Sequence, residues 1–273
     1  MRFKLPKLSR RARRNHTESF AQDASRLLTV KSDFYTREAY KTLRSNVNFS
    51  LTDDEKSKVL IVTSSFQGEG KSLTAINLAI SLAQAEKHVV ILDCDLRRPK
   101  LARELQIHGK VGLSNVLMEP ELLPQAILQT VTPRLDAITA GSVPPNPSEL
   151  LGSSRMSRLL DTLKERYDFV ILDTPPVNMV TDAAVLVQHS SGILMVVRAG
   201  VAEKAEVIQA IEQLEYANAK ILGFVLNGVE RGSGKGGYGR YGRYGRYGRY
   251  GYGGKYGYGY GEQTQTDGAE NEG

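Results

Sequence analysis

The sequence predicts an α/β fold: a parallel sheet flanked by helices, an N-terminal helical extension and a disordered Gly/Tyr-rich C-terminal tail. Three observations carry this reading. From Lys58 to Val229 short apolar runs alternate with helical patterns, the signature of a parallel sheet with helices on both faces. The first run leads directly into SFQGEGKS, Ser65 to Ser72, which in turn opens an apolar helix. Past Arg231 the composition changes abruptly, and 16 of the 26 glycines and nine of the 13 tyrosines fall in the last 43 residues.

In chain order, residues 1–32 read as a flexible basic arm. Residues 1–31 hold nine Lys/Arg against two Asp/Glu, with four arginines among the five positions Arg10 to Arg14. Such a run is ordinarily a solvated arm. It could also rest on an anionic membrane face, at about 1 kcal/mol per charge, or contact nucleic acid. Residues 33–230 form the folded domain. It begins with a helix, DFYTREAYKTLRSNVNFS, whose apolar side chains recur at Tyr40, Leu43, Val47 and, with drift, Phe49. Asp33 or Thr36 could cap it. KVLIVTS, HVVILDCD, LDAITAG, YDFVILDT, GILMVVRA and AKILGFVLN read as strands. Most are continuous apolar runs, as expected of strands covered on both faces. Helices are expected at SLTAINLAISLAQAE, PSELLGSSRMSRLLDTLKER and AEKAEVIQAIEQLEYA. Residues 231–273 have almost no aliphatic side chains, so they cannot bury a core and read as disordered.

Charge and composition narrow the function. The chain carries +6, yet residues 32–230 hold 20 basic and 24 acidic side chains, so the excess lies in the two ends. A folded core of negative charge argues against a basic nucleic-acid groove. The apolar runs reach four to six residues, far below the roughly 20 of a membrane span. The N-terminus has no apolar core of a secretory signal. A single cysteine, Cys94, excludes an internal disulfide framework and a Cys-rich zinc site, and reads as a small buried hydrophobe.

The chemistry concentrates at strand ends. A glycine-rich loop between a strand and a helix is the context of a phosphate-binding P-loop. Gly68 and Gly70 let backbone N–H groups approach phosphates without a Cβ in the way. The helix N-terminus adds partial positive charge. Lys71 is placed to meet the β/γ oxygens, and the Ser72 hydroxyl to ligate Mg²⁺. Ser65 stands where the pattern GxxxxGK[ST] has its first glycine. Asp93 and Asp95 follow VVIL, and strand alternation predicts that both carboxylates point one way and Cys94 the other. Asp173 follows FVIL, and Pro175 closes that strand. In a parallel sheet these ends share the carboxyl edge, where ligands bind. Carboxylates beside a polyphosphate call for a hard cation such as Mg²⁺. The fold is therefore expected to be P-loop NTPase-like.

SFQGEGKS, DCDLRRP and DTPP together resemble the three Walker-type motifs of bacterial tyrosine kinases, the P-loop protein tyrosine kinases of capsular and exopolysaccharide assembly. PPNPSELLGSSRM also resembles members of that family, and the tyrosine-rich tail resembles its autophosphorylation cluster. The likeness spans roughly residues 33–260. Related MinD/ParA-type ATPases carry a second lysine near the start of the loop, where this chain has Phe66, a departure that favours the kinase branch.

The resemblance implies ATP and Mg²⁺ as cofactors and a protein-tyrosine kinase activity. Gly68, Glu69, Gly70, Lys71, Ser72 and Leu73 would hold the nucleotide. Ser72, Asp95 and Asp173 would hold the metal. Lys71, Asp93, Asp95 and Asp173 would serve catalysis, the two former aspartates orienting or deprotonating the incoming tyrosine. Arg97 and Arg98 could offset phosphate charge or pair on the surface. Asn227 could contact adenine or simply end its strand. Asp182 is expected to cap the helix that follows it. The acceptors would be Tyr238, Tyr241, Tyr244, Tyr247, Tyr250, Tyr252, Tyr256, Tyr258 and Tyr260. A charge argument suggests that the unmodified +3 tail docks in a neighbour's acidic site and leaves once phosphorylated. Glu38, Lys41 and Arg44 resemble the family's ExxRxxR oligomerisation motif, with Lys41 replacing the first arginine, and imply a ring, often an octamer. The implied partners are further copies of the chain, a separate transmembrane activator of the polysaccharide chain-length-determinant type and a cognate tyrosine phosphatase. The implied location is the cytoplasm, peripheral at the inner membrane face. Two readings of other classes compete: a MinD/ParA-like regulatory ATPase that switches membrane or DNA binding, and a nucleic-acid-binding scaffold built on the Gly/Tyr/Arg tail.

Overall fold

A computed structural model describes residues 26–51 and 58–229. The basic run at Arg10–Arg14 and the tail tyrosines lie outside the described residues. Seven strands form one sheet in the order β3-β4-β2-β5-β1-β6-β7. They are β1 (Lys58–Ser64), β2 (Val89–Asp93), β3 (Leu128–Gln129), β4 (Leu135–Ile138), β5 (Phe169–Asp173), β6 (Gly192–Arg198) and β7 (Ile221–Asn227). All neighbours pair parallel except β3, which runs antiparallel to β4. The six strands expected from sequence are present. The seventh, β3, is a two-residue edge strand, too short to leave an alternation pattern.

Each apolar strand splits its side chains between two cores, which is why the runs are continuous rather than alternating. On one face Ile61, Leu92, Leu172 and Ile193 pack with the helices α4 (Leu113–Met118), α6 (Pro147–Leu151), α7 (Ser154–Lys164), α8 (Asp182–Leu186) and α9 (Lys204–Tyr216). On the other face Leu60, Ile91, Ile171 and Val196 pack against α2 (Lys71–Ala83). Two short helices, α3 (Leu101–Glu104) and α5 (Leu123–Ala126), complete the α-helices among the described residues. PSELLGSSRMSRLLDTLKER is two helices rather than the one expected. Gly152 ends α6, and Ser153 adopts an extended conformation before α7.

The helix α1 (Phe34–Ser50) is capped by Asp33, whose carboxylate accepts from the N–H groups of Tyr35 and Thr36. It buries Val47 and partly buries Tyr40 and Leu43 against α2, whereas Phe49, expected on that face, is exposed. Arg44 reaches α2 and donates to the Ser81 carbonyl at 2.6 Å. Residues 26–32, assigned above to the arm, also pack on the domain. Asn77 of α2 accepts from Leu28 N–H at 2.7 Å and donates to the Arg26 carbonyl at 3.1 Å. Leu28 is buried, a contribution of about 1.5–3 kcal/mol. With the sheet on one side and these segments on the other, α2 is buried at every position except Leu73. The helix that opens at the phosphate loop is thus the most enclosed of the fold.

Candidate functional site

Strand β1 lies inside the sheet between β5 and β6, so the loop that follows it sits over the carboxyl edge. Gly70 precedes α2 with φ 92° and provides no side-chain cap. The first-turn N–H groups of α2 therefore keep their outward direction, the arrangement that receives an anion. Gly68 has φ 83°. Glu69, expected among the nucleotide-binding residues, turns its side chain into the loop, so that role would fall to its backbone. Its Oε2 accepts from Ser65 Oγ at 2.9 Å and from Phe66 N–H at 2.7 Å. That bond explains why serine suffices at the first position of the motif.

Lys71 meets two of the carboxylates. Lys71 Nζ lies 3.4 Å from Asp95 Oδ2, 3.5 Å from Asp173 Oδ1 and 3.3 Å from Ser72 Oγ. Burial pulls the Lys71 ammonium down, but the carboxylates of Asp173, Asp95 and Asp93 outweigh it and hold the pKa above its ordinary value. The lysine is a permanent cation here. Asp173 is fully buried, and desolvation pushes its carboxyl up despite the lysine. Its Oδ2 is buried with no hydrogen-bond partner among the described residues. An orphaned carboxylate oxygen beside a serine hydroxyl and a second carboxylate fits a hard divalent cation such as Mg²⁺, which takes one or two carboxylates and leaves its other positions to phosphate and water.

The pairing of Asp93 with Asp95 is corrected by the structure. Strand β2 ends at Asp93, so alternation does not extend to Asp95. Asp93 Oδ2 accepts from the N–H groups of Lys100 and Leu101 at 3.0 and 2.9 Å, and Oδ1 from Asp95 N–H at 3.3 Å. It organises the loop from Asp95 to Leu101 and does not line the cavity. Desolvation and the adjacent Asp173, its register partner across the β2–β5 ladder, push its carboxyl up to about 7. Asp95 does face the cavity, next to Lys71. Asp93→Ala is expected to cost about 1–3 kcal/mol in urea unfolding by orphaning three loop amides.

A cavity of about 870 Å³ opens at this edge, lined among others by Gly68, Gly70, Ser72, Leu73 and Asn227. The Asn227 amide is engaged at both ends by its own chain. Its Nδ2 donates to the Glu69 carbonyl at 2.9 Å and its Oδ1 accepts from Gly228 N–H at 2.8 Å. Arg198, missed in the sequence, donates to the Gly68 carbonyl at 3.0 Å. The phosphate loop is therefore strapped from outside by the ends of β6 and β7. Arg97 is committed to Asp182, through Nε and Nη2 each at 3.2 Å, and to Ser148 Oγ at 3.0 Å. Asp182, expected to cap a helix, is instead the fully buried partner of that arginine, and Thr181 holds the cap position. Glu38 and Lys41 pair with each other at 2.7 Å on the exposed face of α1.

The mouth is not acidic. Seven cationic side chains line the cavity against two carboxylates, Asp95 and Glu104. The negative total of residues 32–230 concealed this, and the docking of an unmodified basic tail in an acidic site finds no such site at this cavity. Among the described residues no helix is long and apolar enough to cross a membrane.

A family model described as an AAA domain matches residues 57–222. The chain is 40% identical over 191 residues to the tyrosine-protein kinase YwqD of Bacillus subtilis, covering 70% of this chain and 80% of that one. It is 36% identical over 208 residues to the tyrosine-protein kinase CpsD of Streptococcus agalactiae, covering 76% and 90%. The kinase domain of the Escherichia coli tyrosine kinase ETK superposes with a TM-score of 0.69 at 37% identity, covering 72% of this chain and 78% of that one. The chimerical protein CapA2B2 does so with 0.65 at 38%, covering 68% and 82%. The septum site-determining protein MinD of Pyrococcus horikoshii, complexed with Mg-ADP, shares the fold at a TM-score of 0.55 and 23% identity, covering 65% and 72%.

Proposed function

This chain belongs to the bacterial tyrosine-protein kinases with an AAA-type nucleotide-binding domain, and from that premise we propose that it is an autokinase. It transfers the γ-phosphoryl group of ATP to tyrosines of the C-terminal cluster, on a neighbouring copy, and so regulates exopolysaccharide or capsule production. The observation that supports this best is the buried Lys71 held between Asp95 and Asp173 at the foot of the phosphate loop. Phosphoryl transfer depends on positioning and charge neutralisation rather than covalent help. Lys71 and the N–H groups of residues 68–73 bind and orient the phosphates. The Ser72 hydroxyl, Asp95 and the Oδ2 of Asp173 would hold Mg²⁺. When bound, that ion neutralises charge on the phosphate oxygens. Asp95, which lines the cavity, orients the attacking phenol and takes its proton. Asp93 acts by holding the loop that carries Asp95. Pro175, Pro176, Met179 and Val180 give the cavity an apolar wall against which a tyrosine ring can pack.

The test is intact-mass spectrometry of the full chain after incubation with Mg-ATP. A ladder of added phosphates is expected on the wild type, lost with EDTA and absent when all nine tail tyrosines are phenylalanine. Nucleotide hydrolysis with no added mass would support the MinD/ParA-type reading instead.

Further copies of the chain and a separate membrane-bound activator of the chain-length-determinant type complete the proposal, with a phosphatase reversing the modification. The basic arm, with nine Lys/Arg against two Asp/Glu in residues 1–31, supports a site of action at an anionic membrane face. Arg44 joins α1 to α2 within one chain, so Arg44→Glu is expected to do two things: lower the melting temperature and convert oligomers to monomers in light scattering. An unchanged mass with a lowered melting temperature would confine Arg44 to the in-chain role.

A further inference from the structure

We propose that Arg198 and Asn227 are positioning residues of the phosphate site: by holding two successive carbonyls of the loop, they aim two of its amides at the nucleotide phosphates. The proposal rests on the kinase reading above and gives the two residues a part in it that acts through the loop rather than on adenine.

A trans peptide unit is planar, and its C=O and N–H point in opposite directions. Whatever fixes the carbonyl of one residue therefore fixes the direction of the next residue's N–H. Arg198 Nη1 donates to the Gly68 carbonyl at 3.0 Å, which orients the N–H of Glu69. Asn227 Nδ2 donates to the Glu69 carbonyl at 2.9 Å, which orients the N–H of Gly70. Gly68 and Gly70 hold positive φ, 83° and 92°, and Glu69 between them does not. That alternation of hand turns successive N–H groups toward one concave face, where an anion sits. Donors fixed in advance need no rearrangement when charge develops on the phosphate oxygens.

The two side chains work from one place. Arg198 and Asn227 are register partners across the β6–β7 ladder. The Asn227 carbonyl accepts from Ala199 N–H at 2.9 Å, and its Oδ1 from Gly228 N–H at 2.8 Å. Gly228 lets the arginine stem lie against it, since a Cβ there would sit 3.3 Å from Arg198 Cγ. The first half of the loop has braces of its own. Ser64 Oγ donates to the Phe66 carbonyl at 2.7 Å, and Glu69 Oε2 accepts from Phe66 N–H. Arg198 and Asn227 do the same for the second half, the half that carries the phosphate-facing amides.

The test measures the affinity of the full chain for Mg-ATP and for magnesium tripolyphosphate, which has no base. The melting temperature of the nucleotide-free chain is recorded alongside. Arg198→Met and Asn227→Ala are each expected to weaken both ligands by about tenfold, the loss of one well-aimed donor. Arg198→Lys keeps a donor within reach of the carbonyl and should recover most of the affinity. The melting temperature of Arg198→Met should hardly move, because that side chain is exposed. If Asn227→Ala lost ATP affinity but kept that for tripolyphosphate, the amide would serve the base and the proposal would fall. A loss confined to Arg198→Met would assign the effect to direct contact of its charge with phosphate and overturn it too. A lowered melting temperature with both affinities intact would confine the pair to holding the strand ends, which also overturns it. Failure of the kinase reading shows separately, as no added mass on the wild type with Mg-ATP, and leaves the comparison of affinities standing.

Discussion

Lys71→Met lowers tyrosine phosphorylation by about a thousandfold, the expected cost of removing a buried cation aimed at transferring charge. Methionine keeps the length and apolar body of the side chain and removes only the ammonium. Two further readouts separate loss of chemistry from loss of fold. Wild-type chain at a hundredfold excess of ATP over its Kd gains about 2.7 kcal/mol of stability, and the variant gains far less. Without nucleotide, the variant leaves the buried Asp173 with its cation gone. Carboxyls whose folded pKa lies above the unfolded value hold extra protons in the native state. Their stabilisation is therefore fully present at low pH and is lost as pH rises through the folded value. Asp93 already sets such a window, from the ordinary carboxylate range up to about 7. Removing Lys71 steepens the fall, so urea unfolding of the variant at pH 5 and pH 8 should differ more than that of the wild type. Equal pH slopes would mean that the lysine does not neutralise this group.

Arg97→Ala destabilises the domain by about 2–3 kcal/mol, somewhat below the cost of breaking a fully buried pair because the arginine itself is partly exposed. Asp182 is wholly buried and keeps only the Ser148 hydroxyl once the guanidinium is gone. The arginine also ties the loop after β2 to the starts of α6 and α8, so its loss should raise the KM for ATP through a misplaced Asp95. A double-mutant cycle with Asp182→Asn should return a coupling of about 1–3 kcal/mol. Additivity would show that the contact holds nothing.

What the sequence made legible divides along physical lines. The apolar runs and their acidic ends disclosed the sheet, because a parallel strand covered on both faces needs little else to identify it. Lys71 and Asp173 were readable because a glycine loop at a strand end has one geometry. Asp93 was not, since its role depends on where β2 stops and on two amides seven and eight residues further along. Arg198 and the Arg97–Asp182–Ser148 group were hidden for a related reason. Their partners are 130, 85 and 51 residues away, and only topology brings them together. The break at Gly152 left a faint signal, the GSS sequence, which a 3.6-residue pattern reads through.

The strap across the phosphate loop has a consequence for how the chain can vary. A Cβ on Gly70 would lie 2.0 Å from Asn227 Nδ2, and Gly70 already holds a left-handed backbone. A side chain at 70 is thus excluded twice, once by conformation and once by a residue on the far edge of the sheet. Shortening Asn227 to glycine removes the second obstacle and leaves the first, while also freeing the Glu69 carbonyl. In a selection for active revertants of Gly70→Ala, suppressors should therefore gather at position 227.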